Sequence, residues 1–290
     1  MQTDAATRLR RPDELARGDF DMVVRRLADD IALGSDSSLF AGGGLEYASS
    51  RLYQPGDSVR MLNWRLSART GKAFVKQYEA LKRVSVYIVL DTSASMSVSS
   101  TLLSKHDLGV WIASAIGLMS QRRLSPVALV GAGERSTRVV PSLLRNDLWR
   151  AIEPLRVGDL GEATLLGERL RALLARIDRA SVLVVLSDLH DPEAIPALRH
   201  AGHAHDCMVV HLRDPVEAGR LGAGFFAGEE SETGRGFLAH SRSAWDQEDE
   251  TRRDLICAGV DYLALATDAN VIPPLRHFLR ARGGLQRGRG

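Results

Sequence analysis

From residue 84 onward the chain alternates short unbroken apolar runs with longer segments that place apolar residues at helical spacing. "VSVYIVL", "SVLVVLSDL" and "DCMVVHLRD" are short and rich in β-branched residues, so they predict buried strands. "VDYLALAT" predicts a late strand. "PVALVGAG" and "STRVVP" predict short strands able to pair, and "GAGFFAGEESETGRGFLAH" predicts a hairpin around Glu-Thr-Gly. Between them, "SKHDLGVWIASAIGLMSQRR" aligns Leu108, Trp111, Ile112, Ala115, Ile116 and Met119 on one helical side. "NDLWRAIEPL", "PEAIPALRHAG" and "PPLRHFLRAR" also predict helices. "TLLGERLRALLARI" turns Leu166, Leu170, Leu173, Leu174 and Ile177 inward. Continuous apolar strands alternating with amphipathic helices predict an α/β fold: a mainly parallel sheet with helices on both faces.

Upstream the rhythm differs. Residues 1–41 predict a helical lead-in, with Leu15, Phe20, Val23, Val24, Leu27 and Ile31 at helix-like spacings. Residues 42–83 form a separate block. Pro55-Gly56 marks a turn, Asp57 or Ser58 is expected to cap a helix through "VRMLNWRLSA", Gly71 ends it, and "KAFVKQYE" predicts a strand. The expected organisation is thus a lead-in (1–41), an N-terminal block (42–83), the α/β domain (84–282) and a disordered tail (283–290).

Composition narrows the function classes. Lysine plus arginine (38) nearly balances aspartate plus glutamate (36) over 290 residues, for a net charge of +2. No global field therefore draws the chain to nucleic acid or an anionic membrane. No run approaches the ~20 apolar residues that span a bilayer, and the polar first twenty residues lack a signal-peptide core. A cytoplasmic protein is expected. Cys207 and Cys257 lie in apolar surroundings and are expected as buried, reduced thiols.

Candidate chemistry sits where the buried strands end. The first stops at Asp91-Thr-Ser93-Ala-Ser95, and alternate residues of an extended loop can point one way. Thr164 precedes a predicted helix, and Asp188 ends another apolar strand. In a parallel sheet, ligands gather at the carboxyl ends of the strands. Two carboxylates and three hydroxyls suit a hard cation, Mg²⁺ or Mn²⁺, which takes about six oxygens. The competing explanation is plain helix capping, since Asp, Ser and Thr are preferred N-caps. No general base stands beside the constellation, so adhesion is expected rather than catalysis.

The series Asp91, Ser93, Ser95, Thr164 and Asp188 resembles the metal-ion-dependent adhesion site of von Willebrand factor A domains, in order and in strand context. "GEAT" is looser than the "GGT"-like segment of that family. The block "EYASSRLYQPGDSVRMLNWRLSARTGKAFVKQYE" resembles the family named domain of unknown function 58. The matching positions are Arg51, Tyr53, Gly56, Asp57, Arg60, Leu62, Asn63, Trp64 and then Ser67, Ala68 and Arg69. Asn63 stands where an acid is usual. Together the resemblances span roughly residues 40–280. They imply a von Willebrand factor A or Rossmann-like sheet, an adaptor or chaperone-cofactor role in assembling or activating target complexes, and protein partners: MoxR-type AAA+ ATPases and other von Willebrand factor A proteins; they establish no enzymatic activity. Many relatives carry two membrane helices ahead of this block; here a form without membrane insertion is implied.

Two other readings compete. Basic and aromatic residues mix in the 42–83 block, a pattern that binds phosphates or single-stranded nucleic acid. Against that, Trp64 and the tyrosines are expected to pack on the sheet while the arginines pair with Glu46, Asp57 and Glu79 and brace the block against the main domain. "SDLH" (187–190) and "GHAH" (202–205) resemble the ends of a dinuclear phosphoesterase pattern. Its middle segments have no room between them, and His203 and His205 are expected to be solvated loop residues.

Overall fold

The computed structural model describes residues 19–32, 45–58, 61–80, 84–134, 140–157, 161–215, 225–229 and 236–285. The predicted tail beyond Leu285, most of the lead-in and Arg60 lie outside them.

Five strands form one parallel sheet: β3 (Val86–Leu90), β4 (Val127–Gly131), β5 (Val182–Ser187), β6 (Asp206–Arg213) and β9 (Asp261–Ala266). Their order across the sheet is β4-β3-β5-β6-β9. The first strand lies inside, flanked by the second and third. The chain therefore winds one way from β3 and then the other, a doubly wound arrangement that opens a crevice at the carboxyl ends of β3 and β5.

Alternate strand residues feed two cores. On one face Ile88, Leu90, Val184, Leu186, Val210 and Leu212 pack beneath α1 (Phe20–Ala32), α3 (Lys105–Arg122), α4 (Arg145–Val157) and α8 (Ile272–Leu285). On the other, Val89, Leu183, Val185 and Val209 pack beneath α5 (Leu166–Leu174), α6 (Ala194–Ala204) and α7 (Ser241–Cys257). Burial on both faces explains why these strands read as unbroken apolar runs.

α3 crosses the middle of its face and is buried almost all round, so its sequence is apolar on more than one side. Its start is fixed by a capping box. Asp107 N donates to Ser104 Oγ at 3.0 Å, and Ser104 N donates back to Asp107 Oδ2 at 3.2 Å. α1 belongs to this core. Val24 and Leu27 are fully buried, and Phe20 stacks 4.6 Å from Trp111. At the far edge of the sheet, buried Arg282 reaches both Asp206 and Asp261, tying α8 to the starts of β6 and β9.

The N-terminal block is an antiparallel pair, β1 (Leu45–Leu52) with β2 (Phe74–Ala80), carrying the short helix α2 (Trp64–Thr70). β7 (Phe225–Glu229) and β8 (Gly236–His240) form the expected hairpin. Antiparallel pairing after β4 is observed as a bridge between Val127 and Ser142; the earlier part of "STRVVP" lies outside the described residues.

Several expectations are corrected. α2 is capped by Asn63, whose Oδ1 accepts from Leu66 N at 3.2 Å. Asp57 is not the cap, because its carboxylate accepts from both Arg51 nitrogens (2.7 and 2.6 Å) and from Gln54 N. That ion pair closes the 52–57 turn within the block instead of bracing it to the sheet. Trp64 is 66% exposed and Tyr53 39%, so neither packs as expected. Cys257 is exposed at the end of α7, while Cys207 is buried and burial pushes its thiol up to about 12. His203 is in α6 and His205 is its half-buried C-cap, neither in an open loop. α7 has no counterpart in the sequence reading. Gly71 does end α2, at a φ of 70° that favours glycine.

Candidate metal centre

Asp91 follows β3 directly and Asp188 follows β5, so the two carboxylates stand at neighbouring strand ends in the crevice. Both are buried, with residue exposures of 0% and 3%. The backbone after β3 turns at once: Ser93 N donates to Asp91 Oδ1 at 3.0 Å. This brings the Ser93 and Ser95 hydroxyls within 3.0 Å of each other. The Ser95 hydroxyl also stands near enough to the Asp188 carboxyl to help hold it low. Asp91, Ser93, Ser95 and Asp188 are thus one connected cluster.

Thr164 is on the neighbouring loop, and Glu162 sets that loop's position. Ala94 N donates to Glu162 O at 2.9 Å, in a bridge between Ser93 and Glu162. The Glu162 side chain, itself buried, accepts from Thr92 Oγ1 at 2.6 Å and from Glu134 N at 3.0 Å. One carboxylate therefore ties together the loops after β3 and β4 and the loop before α5. The approach requires glycine at 133, where a Cβ would sit 1.8 Å from Glu162 Oε2. Thr164, two residues further on, is half-buried.

Ser93 is the N-cap residue of a 3₁₀ turn (Ala94–Ser97) but makes no side-chain cap bond there, and the capping explanation fails for the three α-helices that follow the site segments. Ser104 caps α3, Leu165 is the N-cap residue of α5, and Glu193 that of α6. The amides at the starts of α5 and α6 go to Asp191 instead: Gly167 N to its Oδ2 at 2.7 Å and Glu193 N to its Oδ1 at 2.9 Å. Asp91, Thr164 and Asp188 are therefore not the N-cap residues of α3, α5 or α6.

The sequence reading missed several members. Ser187 donates to Asp91 Oδ2 at 2.6 Å while accepting from Leu189 N. Leu189 has a φ of 58°, a left-handed conformation rare for a leucine. That turn places His190 Nδ1 3.3 Å from Asp188 Oδ2. Lys105, the first residue of α3, sends its ammonium 2.7 Å from the same oxygen, with the two side chains 0% and 1% exposed. The available signal for Lys105 was a lone cation opening an otherwise apolar helix.

The two carboxylates have different electrostatics. Burial, then the charge of Asp188, raises Asp91 from 3.8 to about 6, against the pull of hydrogen bonds from Ser187 and Ser93. Burial works to raise Asp188 as well. His190, Lys105 and the hydrogen bonds from Lys105 and Ser95 outweigh it and hold that carboxyl below the usual range. Behind the site, His211 is pushed down to about 3 by burial and by Arg213.

The donor set fits a hard cation: buried carboxylate oxygens and clustered hydroxyls, with no thiolate or imidazole core. Among the described residues no three His, Cys, Asp or Glu side chains gather as a metal cluster. The hydroxyls carry the fit, and one carboxylate already faces an internal cation. Of the block residues, Arg51 and Asp57 come together and Gly56 turns the chain at a φ of 108°. Tyr53, Trp64 and Arg69 are exposed.

Residues 49–253 match the model of a protein family described as protein of unknown function DUF58. The chain belongs to the DUF58 family. Uncharacterised proteins of Mycobacterium tuberculosis (Rv1480) and Mycobacterium bovis (Mb1516) are each 28% identical over 304 residues, covering 94% of this chain and 95% of the relative. The crystal structure of the Deinococcus radiodurans RO (RSR) protein aligns over 98% of this DUF58 chain and 49% of that one, at 17% identity and a TM-score of 0.32. No described helix of this DUF58 protein is long and apolar enough to cross a membrane.

Proposed function

We propose that this DUF58 protein is a non-enzymatic interaction module that takes an acidic group of a partner protein through a metal-ion-dependent adhesion site of the von Willebrand factor A kind. Asp91, Ser93, Ser95, Thr164 and Asp188 would hold Mg²⁺ or Mn²⁺. The observation that carries the reading is the convergence of Asp91, Ser93, Ser95 and Asp188 at the crevice, none of them serving as a side-chain helix cap. A bound ion supplies an open position for an anionic oxygen. The chain's own contribution is to fix the hydroxyls, through the Asp91–Ser93 turn and the Glu162 tie, before the ligand arrives.

The resemblance supplies the partner class: a MoxR-type AAA+ ATPase, together with other von Willebrand factor A proteins, in a cytoplasmic adaptor or chaperone-cofactor role. The phosphoesterase pattern gains no support from the geometry. His205 precedes β6, which pairs its start with the start of β5, whereas Asp188 and His190 lie beyond the end of β5.

The test is association with such an ATPase, for wild type and Asp91→Ala, in Mg²⁺ and in EDTA, with circular dichroism as the fold control. Binding lost both in EDTA and in the variant supports the reading. Binding retained in every condition sinks it.

A second reading attaches to the hairpin block. Trp64 stands open beside exposed Arg65, Arg69 and Lys72, a pattern suited to stacking on a base and neutralising phosphates. It requires single-stranded nucleic acid binding that weakens steeply with salt and with Trp64→Ala.

A further inference from the structure

Lys105 is in an expensive place. Its ammonium is fully buried, and it sits at the first position of α3, where the helix dipole disfavours a cation. Packing needs no charge there, since the helix from Leu108 to Met119 lies in the apolar core. What the charge faces is Asp188, at 2.7 Å, with Asp91 close enough for the two carboxylates to repel each other. His190 joins from the rim, its side chain 51% exposed, and adds to the pull that holds the Asp188 carboxyl low.

We infer that Lys105 is the built-in counter-cation of this site and makes metal loading depend on an anionic ligand. The inference rests on the metal-site reading above. With both carboxylates ionised, Asp91, Asp188 and the Lys105 ammonium together carry one net negative charge. A divalent ion alone turns that into one net positive charge, held out of water at a cost. A divalent ion together with a partner carboxylate leaves the cluster neutral. Without Lys105 the balance changes: two carboxylates neutralise the bare ion, and no outside anion is needed. The lysine thus separates a site that stores metal from one that accepts metal and ligand together. The coupling is reciprocal, so an acidic ligand also binds weakly until the ion is present.

The experiment measures Mn²⁺ binding to the full chain by the loss of the free-ion electron paramagnetic resonance signal. Wild type, Lys105→Met, Lys105→Gln and Asp91→Ala are compared, each with and without excess sodium acetate as the carboxylate probe. Circular dichroism checks each fold. Lys105→Gln keeps a hydrogen-bond donor toward Asp188 without the charge, and serves if Lys105→Met does not fold. Wild type should bind Mn²⁺ weakly and gain about tenfold or more in affinity with acetate. The lysine variants should bind about tenfold or more tightly without acetate and gain little from adding it. Asp91→Ala should abolish binding. If wild type binds Mn²⁺, Asp91→Ala abolishes it, and the lysine variants keep the wild-type affinity and acetate response, the inference falls while the metal site stands. If no folded protein binds Mn²⁺ under either condition, the metal site falls and the inference with it.

Discussion

At the carboxyl edge of the sheet, Asp91 and Asp188 are buried and accept hydrogen bonds from Ser93, Ser187 and Lys105. In the hairpin block the ion pair of Arg51 and Asp57 lies near the surface, Trp64 is 66% exposed, and α2 buries no residue. Both regions mix charges with large apolar side chains. They differ in what stands behind them. The sheet site is set into two packed cores, so each polar group there must find a partner inside the protein. The block's elements contact one another far more than they contact the sheet domain, so its polar groups can turn to water. Charge in the first region is a constraint on the fold. In the second it is free to serve recognition.

The sharpest way to break this contrast is to damage the sheet. Leu186 is fully buried next to Asp91's hydrogen-bonded neighbour, and Leu186→Ala should cost about 2–5 kcal/mol in denaturant unfolding. A loss below 1 kcal/mol, on the order of a surface change, would mean the core is not rigid there.

Next comes the charge placed inside it. Asp91 holds its proton more tightly in the folded state than at its ordinary value of 3.8, since its carboxyl is raised to about 6. Stability from that group is full below the unfolded value and lost as pH rises through the folded one. In EDTA, Asp91→Asn should therefore be more stable than wild type at neutral pH, by about 1–3 kcal/mol, with the gain vanishing below pH ~4. A pH-independent difference would contradict the raised value.

In the block the effects should be smaller and local. Asn63→Ala removes the α2 cap and its bond to Ser50 Oγ at 3.1 Å. It should cost about 1 kcal/mol, seen as faster hydrogen exchange at the α2 amides (Trp64–Thr70), without moving the global melt. A matching shift of the sheet domain would join the two regions into one cooperative unit. Smallest of all, Trp64→Ala should change stability by less than about 0.5 kcal/mol. A larger loss would show that the tryptophan is covered in solution.

The same contrast explains what could be read in the sequence. The strands were legible because burial on both faces leaves no polar position to confuse the pattern, as in "VSVYIVL" and "SVLVVLSD". Asp91, Ser93, Ser95 and Asp188 were legible because they sit at the ends of those runs. Lys105 was not, because one cation at a helix start looks like a solvated terminus, and its partner Asp188 lies 83 residues away at the end of β5. Glu162 was hidden likewise, since Thr92, Ser93 and Glu134, which it joins, lie far from it in the chain. α7 escaped notice because its sequence is largely polar, with Leu255 its only fully buried described side chain. In the block, the cap moved from Asp57 to Asn63 because Arg51 competes for the aspartate, a contest that spacing does not reveal.

The Glu162 tie also has a mechanical side. Three loops meet at one side chain, wedged where Gly133 leaves just enough room. A pull on the Ser93 loop acts at the same time on the loop carrying Thr164 and on the end of β4. The load is shared between the ends of β3 and β4, so these loops resist being peeled away one at a time.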